Sequence, residues 1–204
     1  MKKPSPGNSC LAAAAEALLR TAEAADAGGI RSAASLLARR IRAGGRLHLA
    51  GVGKAGFVSA RAAATLSSWG VPAQVLHYAD APHGDLGQTG PRDAAILVSK
   101  SGASREIVDL AKALRARRLP LIAVTGAPHS ALARSCDRVL AHPSVTEGGP
   151  WGLAPMASLL AEAALLDALI TELVTVLGGR PRDFAAHHPG GTLGRRAARL
   201  ARQR

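Results

Sequence analysis

The segment Ser99-Lys100-Ser101-Gly102-Ala103-Ser104 carries residue types that bind a phosphate group. It stands between an apolar run typical of a strand and a pattern typical of a helix, where free amides and the positive helix end attract an anion. Hydroxyl groups add neutral donors that surround phosphate oxygens without a metal. A single serine here would serve as a helix cap, but three exceed that need. The segment predicts a phosphate site, and without a Walker GK[ST] sequence it does not indicate a nucleoside triphosphate.

A glycine-rich segment, Gly51–Gly56, follows an earlier apolar run and contains Lys54. Its letters fit GxGxxG, but a dinucleotide site also requires an acid near the end of the next strand. The nearest acid, Asp80, falls in a polar loop beyond that strand. Three interpretations stay open: a small anionic ligand near Gly53 and Lys54, a turn whose glycines serve only packing, or a dinucleotide. The small anion is favoured.

Four residues of metal-binding type lie in two loops, His83 and Asp85 in one and His187 and His188 in the other. Their spacing provides no local ligand pair of the kind that zinc sites use, so we expect no metal. Asp85 has an alternative role as the brace of its own loop. His83 and Asp85 remain candidates for substrate binding.

Glu147 lies among glycines, directly after the last apolar strand and before a long apolar helix. Its position is compatible with simple exposure to solvent and equally with a place in the cleft. Inside a cleft, burial would raise the pKa of the carboxyl group towards neutrality and make it a useful general base.

Short apolar runs alternate with helical patterns and must position these segments. The predicted strands cover 47–50, 73–77, 94–98, 120–124 and 138–141. Strands that alternate with helices indicate βαβ crossovers and a parallel sheet, hence an α/β fold. Ligands of such sheets bind beyond the carboxyl ends of the strands, where both glycine-containing segments fall. We expect one domain, with N-terminal helices over 1–44, an α/β core over 45–178 and a C-terminal loop and helix over 179–204.

The composition excludes several classes of protein. With 204 residues and 48% apolar side chains the chain can bury a core, and its long apolar patterns argue against disorder. Aromatic residues are 2%, too few for a membrane barrel or a surface that stacks nucleic-acid bases. Cys10 and Cys136 are far apart and indicate neither a disulfide framework nor structural zinc.

Charge and hydropathy bear on partners and location. The net charge is +12, and 21 of the 26 basic residues are arginine, spread along the chain except for a cluster between Arg195 and Arg204. Spread charge favours a basic surface that attracts anionic substrates over a nucleic-acid interface. The apolar stretch 153–177 holds three acids, which a membrane span would not tolerate. The charged start at Met1–Lys3 leads to no convincing signal peptide, so a cytoplasmic protein is expected.

Taken together, the motifs resemble sugar isomerase (SIS) domains and, among them, the D-arabinose-5-phosphate isomerases of the lipopolysaccharide sugar pathway. They occur in the family's order over about residues 45–196. The motifs are Gly51–Gly56, His83–Gly87, Ser99–Gly102 with Glu106-Ile107, Thr125-Gly126, Gly152–Pro155, and His188–Gly191 with Leu193–Arg195.

The resemblance implies a flavodoxin-like three-layer sandwich with a five-stranded parallel sheet, a homotetramer with sites at subunit interfaces, and no metal or other cofactor. It places the family's functional positions on Lys54, Glu106, Glu147 and His188, with His188 reaching the cleft of a neighbouring subunit. It also assigns the phosphate to the hydroxyls of Ser99, Ser101 and Ser104.

The chain departs from the family pattern at a few positions. Lys100 and Ala103 stand where family members usually have asparagine and glutamate, so the phosphate segment gains a cation and loses a carboxylate. Trp151 is expected to narrow the pocket, and Met156 replaces a hydroxyl. The CBS modules that commonly follow have no counterpart up to Arg204, so an isomerase without this regulatory pair is expected.

The predicted reaction interconverts D-ribulose 5-phosphate and D-arabinose 5-phosphate through a cis-enediol. Glu147 would move the proton between carbons, with Glu106 as the alternative base. His188 would open the sugar ring, Lys54 would stabilise the enediolate, and the phosphate site would supply orientation.

Three other functions stay open. One is a non-catalytic, regulatory SIS domain that binds a sugar phosphate, although residues 1–44 look too short and alanine-rich for a DNA-binding module. Another is an isomerase of a hexose or heptose phosphate, although the zinc pattern of phosphoheptose isomerases is not evident. The third, a basic nucleic-acid-binding protein, predicts salt-dependent DNA binding without affinity for sugar phosphates.

Overall fold

The computed structural model describes residues 5–203. Eight α-helices and five β-strands form in this part of the chain, joined by loops that include three short 3-10 turns. The helices are α1 (Pro6–Ala24), α2 (Ala27–Arg42), α3 (Lys54–Ser68), α4 (Arg105–Ala116), α5 (Ala131–Arg134), α6 (Ala157–Leu177), α7 (Pro181–Ala186) and α8 (Gly191–Ala201). The strands are β1 (Leu47–Gly51), β2 (Ala73–Val75), β3 (Ala94–Val98), β4 (Leu121–Thr125) and β5 (Arg138–Ala141). The charged start at Met1–Lys3 and the last arginine of the basic cluster lie outside the described residues.

The five strands form one parallel sheet in the order β2-β1-β3-β4-β5. Every residue of β1, β3 and β4 is buried, which explains why these strands read as continuous apolar runs. The strand order reverses between β1 and β3, so the chain leaves the carboxyl ends of these neighbours in opposite directions and opens a crevice. The predicted parallel α/β fold is confirmed.

Helices cover both faces of the sheet and give three layers. On one face, α2, α3 and α6 pack on Leu47, Leu49, Ile96, Ile122 and other side chains of alternate strand positions. On the other face, α4 and α5 pack on the intervening positions, among them Leu97, Leu121 and Ala123. Helix α1 packs against α6 outside the first layer. The core is built from leucine, isoleucine, valine and alanine, as the scarcity of aromatic residues predicts.

Several element boundaries differ from the sequence prediction. The sequence predicts a break between the first two helices over Asp26-Ala27-Gly28-Gly29, but the helices separate at Ala25-Asp26, and Gly28 and Gly29 lie inside the first turn of α2. A Cβ atom at either glycine would lie too close to the Asp26 carboxylate. The two glycines therefore allow Asp26 to pack against the first turn of α2, and they do not mark the end of a helix. Strand β2 ends at Val75. Helix α7 was not predicted, because six residues show too little of a helical period.

None of the helices within 5–203 combines the length and the apolar character that a membrane crossing requires.

Candidate active site

A cleft of about 280 Å³ opens at the carboxyl ends of β1 and β3, at the point where the strand order reverses. Its walls come from the turn after β1, the serine-containing turn after β3 and the start of α6. The lining residues of most chemical interest are Lys54, Ser99, Lys100, Ser101, Ser104, Ser158 and Glu162. Two parts of the chain predicted to bind an anion therefore share one cleft.

The turn Ser99–Ser104 forms a cradle of donors. The Ser99 hydroxyl accepts a hydrogen bond from the amide of Gly102 at 3.2 Å, and the Ser101 hydroxyl accepts one from the amide of Ala103 at 3.3 Å. A hydroxyl that accepts a hydrogen bond from the backbone still has its own proton to donate. Ser104 is the N-cap of α4, and no capping hydrogen bond engages its side chain. All three hydroxyls line the cleft, in front of the positive end of a 12-residue helix.

Gly102 makes this turn possible. Its φ of 57° lies in the left-handed region, and a Cβ atom there would overlap the Ser130 side chain. Glycine is the residue that adopts such a backbone without a steric penalty. The close packing against Ser130 holds the turn in place at the start of α5.

Lys54 is the first residue of α3 and lines the same cleft as the serine turn. It follows Gly53, whose φ of 60° turns the chain from β1 into the helix. The Lys54 side chain is exposed. The lysine adds a positive charge to the part of the cleft lining that α3 provides.

Glu147, in the loop after β5, reaches the cleft through contacts with two of its lining residues, Lys100 and Ser158. One carboxylate oxygen contacts Lys100 Nζ at 2.6 Å and also accepts the Ser158 hydroxyl proton. The other accepts the backbone amides of Met156 at 2.8 Å and of Ser158 at 3.3 Å. Burial acts to raise the pKa of Glu147, but the hydrogen bonds from Lys100, Ser158 and the two amides outweigh it and lower the pKa to about 2. Glu147 is therefore a fixed carboxylate at neutral pH.

Glu162 is a cleft residue that the sequence analysis did not select. It lies on α6, one turn beyond Ser158, and is completely buried, and neither carboxyl oxygen has a hydrogen-bond partner among the described residues. Burial, together with the Glu147 carboxylate, raises the pKa of Glu162 to about 7, although Lys100 acts in the opposite direction. The sequence did contain a clue. Glu162 is spaced at three and seven residues before Leu165 and Leu169, so it falls on the apolar face of the helix that must be buried.

Glu106 does not line this cleft within one chain. It lies in the first turn of α4, is exposed, and lines a second, mostly apolar hollow of about 300 Å³ with Tyr78, Pro82 and Leu86. Neighbouring residues on a helix point in different directions, so Ser104 and Glu106 face different hollows. A shared role for Ser104 and Glu106 in one site therefore remains a prediction that a single chain does not test.

His83 and Asp85 lie in the loop after β2, which forms two 3-10 turns at Ala81–His83 and Asp85–Gln88. His83 is exposed and Asp85 is half-buried, and neither lines the cleft. The loop instead borders the apolar hollow beside Glu106. The sequence cannot indicate the direction of this loop, because its polar residues carry no period.

His188 lies at the far end of the molecule. Its ring stacks on Phe184 with centroids 4.0 Å apart, and Phe184 contacts Trp69 at the end of α3. Lys54 begins the same 15-residue helix, which at about 1.5 Å per residue separates His188 from the cleft by roughly 20 Å. His187 likewise packs against Gly70 at this end. His188 therefore cannot meet Glu147 within one chain.

Trp151 and Met156, two positions at which the chain departs from the family pattern, relate to the cleft in different ways. The Trp151 side chain is 89% exposed and lies outside the cleft lining, so it does not narrow the cleft of its own chain. Met156 supports Glu147 through its backbone amide, a contact that does not depend on the side chain. Among residues 5–203 no three histidine, cysteine, aspartate or glutamate side chains cluster closely enough to hold a metal ion.

Known proteins resemble this chain in sequence and in structure. Residues 41–172 match the profile of the SIS domain. The arabinose 5-phosphate isomerase KdsD of Shigella flexneri is 41% identical over 152 residues, which are 74% of this chain and 46% of the relative. The chain thus spans about half the length of the curated relatives it matches.

Two solved structures share the fold. A protein of Escherichia coli CFT073 in complex with arabinose 5-phosphate has a TM-score of 0.78 and 30% identity, covering 90% of this chain and 94% of that one. The sugar isomerase domain of an RpiR transcription factor from Sphaerobacter thermophilus has a TM-score of 0.72 and 22% identity, covering 97% of this chain and 100% of that one, and shows the fold alone. The profile match covers well over half of the residues, and the chain belongs to the SIS-domain family.

Proposed function

We propose that this protein is an aldose–ketose isomerase of sugar phosphates that interconverts D-ribulose 5-phosphate and D-arabinose 5-phosphate. The observation that carries the proposal is a single cleft lined by three serine hydroxyls at a helix N-terminus and by the buried Glu162, with the Glu147 carboxylate bound to two of its lining residues, Lys100 and Ser158. The first part suits a phosphate and the second suits proton transfer. The similarity to KdsD and to a protein in complex with arabinose 5-phosphate supports the choice of substrate.

In this proposal the phosphate of the open-chain sugar binds the Ser99–Ser104 turn, and its binding energy orients the reacting carbons. Glu147 is the base that takes the proton from the carbon beside the carbonyl group and returns it to the neighbouring carbon. A carboxylate with a pKa of about 2 is a weak base. The phosphate dianion attracts Lys100, which lines the same cleft, and a weaker Lys100–Glu147 contact raises the basicity of Glu147.

The remaining roles follow the family pattern. Lys54 stabilises the negative charge that develops on the substrate oxygens, because it supplies a cation to the lining of the cleft. His188 opens the sugar ring as part of the cleft of a neighbouring subunit, within a homotetramer. Glu106, on α4, is the alternative base. Like His83 and Asp85 in the loop after β2, it contacts substrate only where the cleft of a neighbouring subunit lies against this part of the chain.

The physiological setting is part of the same proposal. We place the enzyme in the cytoplasm, where it would supply arabinose 5-phosphate for the synthesis of a lipopolysaccharide sugar. It would need no metal, because hydroxyl groups and lysines supply the donors for the phosphate.

An activity assay on the purified protein tests the proposal. Thermal unfolding is measured with a panel of pentose, hexose and heptose phosphates, and each stabilising compound is then assayed for conversion. We expect arabinose 5-phosphate and ribulose 5-phosphate to raise Tm and to interconvert, and E147Q to lose at least about 100-fold in kcat. Near-normal turnover by E147Q would exclude Glu147 as the base.

The same assay separates the alternatives. Stabilisation by a sugar phosphate without conversion would favour a regulatory binding domain. Conversion of a hexose or heptose phosphate instead of a pentose phosphate would keep the reaction and change the substrate.

A further inference from the structure

The floor of the cleft contains a carboxyl group without a partner. Glu162 is 0% exposed, yet both of its oxygens lack a hydrogen bond from any described residue. A buried polar group is normally paired, because an unpaired one loses its hydration without compensation. The described fold therefore provides no hydrogen-bond partner for the Glu162 carboxyl group, and we look for its role in the cleft.

A structural role does not explain this residue. A carboxyl group braces a fold when it accepts hydrogen bonds, as Asp93 does from His48 at 2.9 Å and from the amides of Arg46 and Gly90. Glu162 braces nothing among the described residues, and the helix around it is built from alanine and leucine. A leucine at this position would pack with its neighbours and avoid the cost of burying an acid.

The charges around Glu162 come from each wall of the cleft. Lys54 stands at the start of α3, Lys100 in the serine turn and Glu147 in the loop after β5. His142 lies close to Lys100 and Glu147, and burial lowers its pKa, which keeps the ring neutral. Burial and the fixed negative charge of Glu147 favour the protonated form of Glu162, and Lys100 opposes it.

We propose that Glu162 is a second acid–base residue of the cleft, which carries a proton between the two oxygens of the open-chain sugar phosphate while Glu147 carries the proton between the two carbons. The inference rests on the proposed isomerase function and adds a catalytic residue to it. It follows from the position of a buried, unpartnered carboxyl group in the lining of the cleft, beside a fully paired carboxylate that is bound to the lining residues Lys100 and Ser158.

The two groups complete the reaction without another reactant. Glu147 takes the proton from the carbon beside the aldehyde, the C–H electrons form the C=C bond, and the carbonyl oxygen takes the Glu162 proton to give the enediol. The Glu162 carboxylate then removes the proton of the second hydroxyl, and a C=O bond forms there. The electrons of the C=C bond take the proton back from Glu147 at the first carbon. Both residues return to their starting forms, one ionised and one protonated.

The test compares E162Q and E162L with wild type. Glutamine keeps the size and polarity of the side chain but has no acidic proton. We expect E162Q to lose at least about 100-fold in kcat with a change in KM of less than about threefold, because the phosphate and the carbons are still held. Wild-type kcat should fall as pH rises above about 7, where Glu162 loses its proton, and the residual activity of E162Q should lack this fall.

Two variants control for damage to the fold. E162L is expected to be equally inactive with a Tm at or above that of wild type, since it removes a buried acid. Glu172→Gln, further along α6 and outside the cleft, should retain wild-type kinetics.

Three results would overturn the inference. The first is wild-type kcat and pH dependence in E162Q. The second is a loss of kcat that accompanies a lower Tm in both E162Q and E162L, which would assign a structural role. If wild type itself converts no sugar phosphate, the proposed function fails and the inference with it, whereas active wild type with active E162Q overturns the inference alone.

Discussion

At the scale of single residues, two carboxyl groups, one in the lining of the cleft and one beside it, have surroundings that move their pKa values apart. Glu147 receives hydrogen bonds from a lysine, a hydroxyl and two amides, and Glu162 receives none from the described residues. The pKa values are about 2 and about 7, so near pH 7 one group is ionised and the other retains a proton in about half of the molecules. Two groups in opposite protonation states are what an isomerisation needs, because one must accept a proton while the other donates one.

Lys100 connects the Ser99–Ser104 turn to Glu147, the base of the proposed reaction. It belongs to the turn by sequence, and its ammonium group is paired with Glu147, 47 residues further along the chain. Its side chain is about half exposed, which leaves it free to move towards a bound anion. In the proposed function, phosphate binding and the basicity of Glu147 are coupled through this one side chain.

The variant K100M tests this coupling. Burial raises the pKa of Glu147, and the hydrogen bond from Lys100 is the strongest of the contacts that lower it. Without Lys100, the pKa of Glu147 should rise by about one to three units, so the acid limb of kcat/KM moves to higher pH by the same amount. KM should rise about tenfold, because the phosphate loses a charged donor. The measurement is the pH dependence of kcat/KM between about pH 4 and 9.

Lys112→Met is the matched control for K100M. Lys112 pairs with Asp109 at 3.1 Å on the exposed surface of α4, away from the cleft. Its substitution should leave the pH dependence of kcat/KM unchanged. An acid limb at the same pH in K100M and in wild type would contradict the coupling.

The sequence alone predicted the residues of the cleft unevenly. The serine turn was recognisable because its hydroxyls are adjacent in the chain, and Glu147 because it stands out among glycines after a strand. Glu162 appeared only as one of three acids that break an apolar stretch, an argument about membranes and not about a site. The Lys100–Glu147 pair joins distant segments, which no local pattern reveals.

At the scale of elements, the alternation of strands and helices predicted the sheet well. The bounds of β3 and β5 agree with the prediction, because buried strands flanked by polar turns have clear ends. The α1–α2 boundary was missed because a glycine pair usually marks a break between helices, and helix α7 because six residues show too little of a helical period. Side chains at Gly28 and Gly29 would meet Asp26, and α7 packs through Phe184 on Trp69.

Gly102→Ala tests whether the turn after β3 must adopt its left-handed conformation. The added Cβ meets the Ser130 side chain at a φ of 57°, so we expect a loss of about 1–3 kcal/mol in the free energy of unfolding. The displaced turn should raise KM for a sugar phosphate about tenfold, with a smaller effect on kcat. Urea unfolding and steady-state kinetics measure the two effects.

Gly87→Ala provides the comparison for Gly102→Ala. No atom lies within 4 Å of a Cβ built on Gly87, and its φ is outside the left-handed region. Its free energy of unfolding should stay within about 0.5 kcal/mol of wild type. Equal stability and equal KM in the two variants would refute the steric argument.

At the scale of the whole molecule, one chain does not assemble all the residues of the proposed reaction. Lys54, the serine turn and Glu147 meet at the carboxyl ends of the strands, whereas His188 lies at the opposite end of α3. Sequence order could not show this separation, because chain position does not determine which end of a helix a distant segment packs against. The proposed homotetramer resolves it if one subunit's C-terminal segment lies over its neighbour's cleft.

Complementation between inactive subunits tests the shared site. E147Q and H188Q are each expected to be inactive alone, because every site lacks one of the two residues. In oligomers mixed in equal amounts, about a quarter of the sites would combine an intact Glu147 from one subunit with an intact His188 from another, and about a quarter of wild-type activity should return. Mixing E147Q with the double variant E147Q/H188Q restores no site and serves as the control. If His188 acted within its own chain, the first mixture would stay as inactive as the control, so activity in that mixture alone distinguishes a site between subunits from a site within one.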